Sequence, residues 1–130
     1  MKRRIIMIIL AAAALAGAGW GIFHLRRGMG AAEVVRKLSG IRLALELYRQ
    51  EHKKYPASFG ETLRAGTLEA APDLKLPGHF KNSQVRDTPS LAITDSGGWA
   101  YVSDRSSPDF GLLYIDCSHR DEKSRFWSEF

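Results

Sequence analysis

The feature that most constrains this chain is an apolar segment near its N-terminus that leads into an amphipathic segment. Residues 5–25 carry no formally charged side chain at neutral pH, His24 being counted as neutral. As a helix, these 21 residues would be about 31 Å long, which matches a hydrocarbon core of about 30 Å. We therefore predict an N-terminal membrane anchor with basic flanks over residues 1–30, followed by a neck helix and a head over residues 31–130.

A cleavable signal peptide is the alternative interpretation of the same segment. Residues 14–16 and 16–18 read Ala-Leu-Ala and Ala-Gly-Ala, which resemble signal-peptidase sites after a basic start. The uncharged run continues beyond them to Leu25, and a segment that long favours an uncleaved anchor. The same length beside the basic MKRR start argues against a soluble core helix.

Small residues recur at four-residue spacing inside this segment, at Ala13, Gly17 and Gly21. On a helix they share one face, and small residues allow membrane helices to approach closely. The pattern predicts a face for self-association in the membrane. The alternative is that glycine is simply frequent in membrane helices.

The segment after the anchor has the periodicity of an amphipathic helix that ends before Pro56. Its apolar positions are spaced by four, three, four and three residues, with Ala44 and Leu47 widening the stripe. The stripe consists of Val34, Leu38, Ile41, Leu45 and Tyr48. We expect it to pack on the sheet of the head, with a partner helix as the alternative. Gly28 and Gly30 leave open whether anchor and neck form one bent rod or two rods.

Charge is distributed unevenly between the two ends of the chain. Residues 1–54 carry a net charge of +8, whereas residues 55–130 carry −3. The basic end favours contact with anionic lipid. The mildly acidic head argues against binding to nucleic acid.

The head contains three short segments with strand character, at residues 91–94, 99–102 and 111–116. Turn residues separate them, which predicts a small antiparallel meander. Ser58 and Glu61 predict a capping box for a short helix, and residues 70–90 read as an irregular loop. Trp99, Tyr101 and Trp127 are predicted core residues, and the aromatic tail is expected to fold back on the head.

Two stretches resemble the type II secretion pseudopilins and related type IV pilin-like proteins. LALELYRQEHKKYPASFGETL is similar to their amphipathic neck, which ends near a Tyr-Pro, and GGWAYVSDRSSPDFGLLYIDC resembles their C-terminal β-hairpin. The resemblance implies an α+β, pilin-like fold with a long N-terminal helix on a small antiparallel sheet. It also implies a non-enzymatic, single-pass subunit of the bacterial inner membrane. The head would be periplasmic or extracellular, and the partners would be other pilin-like subunits, including further copies of itself.

The N-terminus departs from the pattern of that family. Its members have a leader, a Gly-Phe cleavage site and a glutamate at the fifth mature position before or at the start of the apolar helix. Here MKRR leads directly into apolar residues, which argues against processing by prepilin peptidase. Gly28 and Glu33 mimic the spacing, but they follow the apolar segment, and we interpret the match as coincidence.

The sequence offers little sign of catalysis. Its single cysteine, Cys117, excludes an intramolecular disulfide and a multi-cysteine metal site, and we expect it to be buried beside a strand. We find no phosphate-binding loop or nucleophile elbow, and we predict no enzymatic activity. None of the four histidines is spaced as a metal-ligand pair: His24, His52, His79 and His119.

One loop of the head contains residues that indicate a cation-binding site. Asp104 and Asp109 lie in the same loop with two serines between them, and oxygen-rich loops bind calcium. The resemblance adds that major pseudopilins hold a calcium near their C-terminal strands. Ordinary turn chemistry, which favours Asp, Ser and Pro, is the alternative. We expect no other cofactor.

Overall fold

The chain is an α+β protein in which two long helices precede a small sheet. The computed structural model describes residues 1–130, apart from the side chain of Lys2. Its helices are α1 (Lys2–Arg26), α2 (Ala31–His52) and α3 (Phe59–Arg64), and a short 3-10 helix lies near the C-terminus (Trp127–Glu129). Its strands are β1 (Val85–Thr88), β2 (Trp99–Val102) and β3 (Leu113–Ile115). The predicted α+β fold class with a long N-terminal helix is confirmed.

The anchor and the neck are two rods joined at a fixed junction. The N–H of Met29 donates to the carbonyl of Lys75 at 2.7 Å, and the N–H of Gly78 donates to the carbonyl of Leu25 at 2.8 Å. Gly28 lies so close to Pro77 that an added Cβ would come within 2.5 Å of the proline ring. The loop of the head therefore holds the junction. The anchor and the neck are two rods rather than one bent rod.

The predicted stripe of α2 forms the main seam between neck and head. All five stripe residues are at most 6% exposed, and Ala44 is buried with them. Leu47, in contrast, is 43% exposed and lies outside the seam. The helix ends at His52, and Lys53 turns the chain with a left-handed φ of 60° before Pro56 is reached. The prediction that the stripe packs on the head is confirmed.

The sheet supplies the other side of this seam. Trp99 and Tyr101 of β2 face α2 together with Leu113 and Ile115 of β3, and all four are at most 1% exposed. The Tyr101 hydroxyl donates to the carbonyl of Pro56 at 2.7 Å, which ties the end of the neck to the sheet. Trp127 is also buried in this core, so the three predicted core aromatics and the folded-back tail are confirmed.

The sheet is mixed rather than antiparallel, so this part of the prediction is wrong. Its order is β1-β2-β3, with β1 parallel to β2 and β2 antiparallel to β3. β1 lies inside residues 70–90, which we expected to be irregular. The β2–β3 hairpin agrees with the prediction, although β3 is shorter than residues 111–116.

Residues 91–94 do not form a strand, because side chains of β3 and its end satisfy their backbone groups. The Tyr114 hydroxyl accepts from the N–H of Ala92 at 3.2 Å and donates to its carbonyl at 2.8 Å. The Asp116 carboxylate accepts from the N–H of Thr94 at 2.6 Å. A segment bonded to side chains in this way is not available for a backbone ladder.

The short helix α3 forms as expected, but the predicted capping box does not. Ser58 is the N-cap residue and makes no side-chain capping bond. Glu61 instead accepts from the N–H of Ala57 at 2.8 Å and from the hydroxyl of Tyr48 at 3.2 Å. The glutamate therefore links α3 to α2, a contact that local sequence does not reveal.

Candidate functional site

The helix α1 is long and apolar enough to cross a membrane by length and composition. The most apolar 18-residue window of this helix lies within Arg3–Arg26, and no residue of that window is buried inside the protein. Large side chains such as Ile8 and Trp20 are 66% and 72% exposed. A buried soluble core helix is therefore disfavoured, whereas a signal sequence near an N-terminus would share these properties.

The predicted small-residue face of α1 is open. A Cβ placed on Gly17 or Gly21 would meet no atom within 4 Å, and Ala13 is exposed. Another helix can therefore approach this face without meeting the head. Self-association through it stays a prediction.

The loop that contains the two predicted calcium ligands is stabilised by its own hydrogen bonds. Asp104 accepts from the N–H and the hydroxyl of Ser106 at 2.8 and 2.7 Å. These bonds lower the pKa of Asp104. Asp109 uses its carbonyl to accept from the N–H of Leu112. This is the geometry of an Asp-Ser turn, and calcium binding at Asp104 and Asp109 stays a prediction.

A different group of potential ligands converges at one end of the sheet. One ligand atom from each of His79, Asp95, Cys117 and His119 lies within 4.8 Å of the others. Nε2 of His79 is 3.1 Å from Nδ1 of His119, and Sγ of Cys117 is 3.3 and 3.5 Å from these nitrogens. The four histidines have no metal-ligand spacing along the sequence, yet the fold brings His79 and His119 together.

The Asp95 carboxylate completes this group. Its Oδ1 lies 3.3 Å from Nε2 of His79 and 3.5 Å from Nδ1 of His119. Asp95 has a left-handed φ of 62°, a conformation that Asp tolerates better than most residues. That backbone geometry belongs to the turn between β1 and β2, and it lets the side chain reach the two rings.

Asp116 holds the turn that contains Asp95 in place through hydrogen bonds. Its carboxylate is fully buried and accepts from the N–H groups of Thr94, Asp95 and Ser96, and from the Thr94 hydroxyl at 2.6 Å. Arg86 adds an ion pair at 3.2 Å. Burial alone would raise the pKa of Asp116, but the hydrogen bonds of Thr94 and Ser96 outweigh it and lower the pKa to about 2.

The backbone of Gly97 packs closely against the ring of His79 and holds it in place. A Cβ on Gly97 would collide with the ring of His79, and Gly97 has a φ of 71° that suits glycine. The His79 side chain is only 10% exposed, whereas that of His119 is 49% exposed. The site is therefore closed on the side of His79 and open to solvent on the side of His119.

The sulfur of Cys117 and the carboxylate of Asp95 also accept hydrogen bonds from nearby backbone groups. The N–H of His119 donates to Sγ of Cys117 at 3.3 Å, and the N–H of Ser118 donates to Oδ1 of Asp95 at 2.8 Å. The Ser118 bond lowers the pKa of Asp95. Burial raises the pKa of the Cys117 thiol to about 11, which disfavours a free nucleophilic thiolate at neutral pH.

Sequence reasoning found Cys117 as a buried residue, which is confirmed, but it missed the cluster. The only local signal is the Cys-x-His spacing of Cys117 and His119. His79 and Asp95 come from separate loops, and only the fold brings them to the end of β3. Chemically, the four side chains offer two imidazole nitrogens, one sulfur and one carboxylate oxygen, a donor set suited to a transition metal.

Comparison with known proteins gives no identification. No protein-family model, curated protein or solved structure significantly matches this chain.

Proposed function

We propose that this chain is a non-enzymatic structural subunit or accessory of a type II secretion or type IV pilus-like assembly. One observation carries the proposal: α1 leaves its apolar side chains exposed along its length, whereas α2 buries its apolar stripe on the head. An apolar helix without cover needs lipid or other helices around it. The chain thus combines a helix suited to a membrane with a firmly attached small head.

The mechanism that we propose is packing. α1 holds the protein in a bacterial inner membrane, α2 supports the head through its buried seam, and the head presents a surface to other pilin-like subunits. The fixed junction supports this role, because Met29 and Gly78 both bond across it and can transmit force between anchor and head. The resemblance of residues 31–68 and 91–117 to pilin-like proteins points the same way.

The orientation that we propose places the head outside the cytoplasm. Lys2, Arg3 and Arg4 precede the apolar segment, and a short basic tail is retained on the cytoplasmic side. Arg26 and Arg27 follow the apolar segment, and they weaken the asymmetry of positive charge between its two ends. An alkaline phosphatase fused after Phe130 should be active and a fluorescent protein at the same position dark; the reverse pattern would contradict this orientation.

The alternative function is an exported soluble binding module released by signal peptidase. The observation that favours it is the pair of alanine-rich sites within the apolar segment. It predicts a mature chain that begins at Gly17 or Gly19 and partitions into the soluble fraction.

The first experiment is to measure intact mass and membrane partition of the full-length protein in a bacterial host. An intact chain in the membrane fraction that resists carbonate extraction would support the anchored subunit. A soluble chain that lacks residues 1–16 or 1–18 would overturn it in favour of the exported module. Cleavage after Gly28 would instead show that prepilin peptidase recognises the Gly28–Glu33 pattern.

A second experiment tests assembly. A photo-crosslinking amino acid would replace Leu43 on the outer face of α2, or Phe80 on the head, which are 61% and 74% exposed. We expect adducts with a second copy or another membrane-anchored subunit from at least one position. Only intramolecular products from both positions would contradict the assembly role.

A further inference from the structure

Five of the six distances among the ligand atoms of the cluster are close to those of a tetrahedron around one small ion, and the sixth, between Cys117 and Asp95, is within 4.8 Å. With metal–nitrogen bonds of ~2.0–2.1 Å and a metal–sulfur bond of ~2.3 Å, a tetrahedral site places two nitrogens about 3.3 Å apart and nitrogen and sulfur about 3.6 Å apart. The structure has 3.1 Å between the His79 and His119 nitrogens, and 3.3 and 3.5 Å from these to Cys117 Sγ. The Asp95 oxygen lies 3.3 and 3.5 Å from the nitrogens.

Hydrogen bonding alone does not account for this arrangement. Nε2 of His79 lies within 3.1–3.3 Å of a nitrogen, a sulfur and an oxygen at once. A ring nitrogen carries at most one proton, and one N–H can point well at only one acceptor. An ion at the common centre would satisfy all four atoms together.

We propose that His79, Asp95, Cys117 and His119 bind one Zn²⁺ in a closed four-ligand structural site. The donor set selects the metal: imidazole and thiolate suit Zn²⁺, whereas Ca²⁺ and Mg²⁺ require mainly oxygen ligands. Cu²⁺ binds many sites more tightly, but it prefers tetragonal geometry over the tetrahedral spacing here. With four protein ligands, the ion has no open position for a substrate, so its role is structural.

The surroundings of the ligands agree with this assignment. Side chains that bind a metal are commonly held in place by hydrogen bonds from neighbouring groups that do not touch the metal. Here the N–H groups of His119 and Ser118 donate to Cys117 Sγ and Asp95 Oδ1. Asp116, which accepts four hydrogen bonds from residues 94–96, fixes the turn that carries Asp95.

The ion would join three segments that are far apart in the chain. His79 lies in the loop that holds the junction of α1 and α2, Asp95 lies in the β1–β2 connection, and Cys117 and His119 follow β3. A head with a single cysteine cannot form an internal disulfide, and a metal is another way to staple a small domain. This inference does not rest on the proposed assembly role, since a soluble or an anchored head would bind the ion equally.

The test uses tag-free, full-length protein in detergent, stripped with a chelator and titrated with Zn²⁺. We expect one Zn²⁺ per chain by calorimetry and elemental analysis, and a higher Tm after loading. His119→Gln and Cys117→Ser should weaken affinity by on the order of 100-fold or more, because even the loss of a residue that only hydrogen-bonds to a ligand costs about 10–100-fold. His52→Gln is the matched control, since exposed His52 lies on α2 outside the cluster, and it should bind like the parent chain.

Three outcomes would overturn the proposal. The first is failure of the stripped, folded protein to bind Zn²⁺ at a one-to-one ratio, and the second is a preference for Ca²⁺ over Zn²⁺. The third is unchanged affinity in His119→Gln, a half-exposed position at which we expect circular dichroism to show an intact fold. Substitution with Co²⁺ gives a further readout: tetrahedral d–d bands and a thiolate charge-transfer band are expected, and the latter should vanish in Cys117→Ser.

Discussion

The guanidinium of Arg42 on α2 donates to the carbonyl of Leu113 at the start of β3, at 3.2 and 3.0 Å. The same side chain reaches the carbonyl of Phe130 at 2.7 Å. One charged residue beside the apolar seam therefore connects the neck, the sheet and the tail.

Replacing this residue should loosen all three connections. Arg42→Ala leaves two carbonyls without their charged donor, and each such hydrogen bond contributes about 1.5–3 kcal/mol. We expect the free energy of unfolding to fall by about 2–4 kcal/mol in chemical denaturation. Arg49→Ala is the control, because the Arg49–Glu46 pair is a solvent-exposed ion pair, and such pairs contribute little to stability. Equal losses in both variants would contradict the role of Arg42.

The apolar seam itself should be sensitive to cavity formation. Leu38→Ala removes a side chain that is 2% exposed, and such a change costs about 2–5 kcal/mol. Leu43→Ala removes the same atoms from a position on α2 that is 61% exposed, so its effect should stay within about 0.5 kcal/mol. Thermal unfolding of the two variants provides the comparison, and a similar Tm would show that the seam does not support the fold.

Asp116 should be a point of high sensitivity in the head. Asp116→Asn places an amide NH₂ where the carboxylate accepts from N–H groups of residues 94–96, and it removes the negative charge that forms an ion pair with Arg86. We expect a loss of about 2–4 kcal/mol, measured with a chelator present so that metal binding does not contribute.

The control for that variant is Asp73→Asn, which breaks an exposed ion pair with Lys81. Its effect should stay within about 1 kcal/mol. If Asp116→Asn proved as mild as the control, the hydrogen bonds of Asp116 would contribute little to the head.

Substitution of the two glycines in the junction between anchor and neck should have different effects. Gly28→Ala forces a Cβ against Pro77, whereas a Cβ on Gly30 would meet no atom within 4 Å. We expect Gly28→Ala to lower the Tm of the head and to increase protease cleavage at residues 26–30. Gly30→Ala should resemble the parent chain. The reverse order of the two variants would mean that the junction is not packed as described.

The small-residue face of α1 should govern any self-association in the membrane. Gly17→Leu and Gly21→Leu each place a bulky side chain on the predicted face, whereas Gly19→Leu makes the same change on another side of the helix. In a bacterial reporter of transmembrane dimerisation, we expect the first two variants to lower the signal and the third to leave it unchanged. A uniform response of all three would assign the effect to hydrophobicity rather than to close packing.

The elements of this fold that depend on periodicity were predictable. The stripe from Val34 to Tyr48 follows helical spacing, and its burial matches that spacing. The aromatic pair Trp99 and Tyr101 follows strand spacing, and both residues are buried, as are the other two residues of β2. The apolar helix α1 and the α+β class follow from composition and order along the chain. In each case, neighbouring residues impose the pattern, so that no distant contact is needed to recognise it.

Other features required the tertiary structure, because they depend on residues that meet only after folding. Ser58 and Glu61 have capping-box spacing, yet Glu61 bonds to Tyr48 instead. Residues 91–94 have strand character, but Tyr114 and Asp116 occupy their backbone groups.

The same reason explains why the candidate site was missed. The sequence alone determined a membrane-type helix, an amphipathic neck and a small β-containing head, since periodicity and hydrophobicity act over short distances. Only the tertiary structure decided that the sheet is mixed and that His79, Asp95 and the pair Cys117 and His119 share one site. Those outcomes depend on long-range closure of three loops, and the Cys-x-His spacing of Cys117 and His119 is the single local sign of the site.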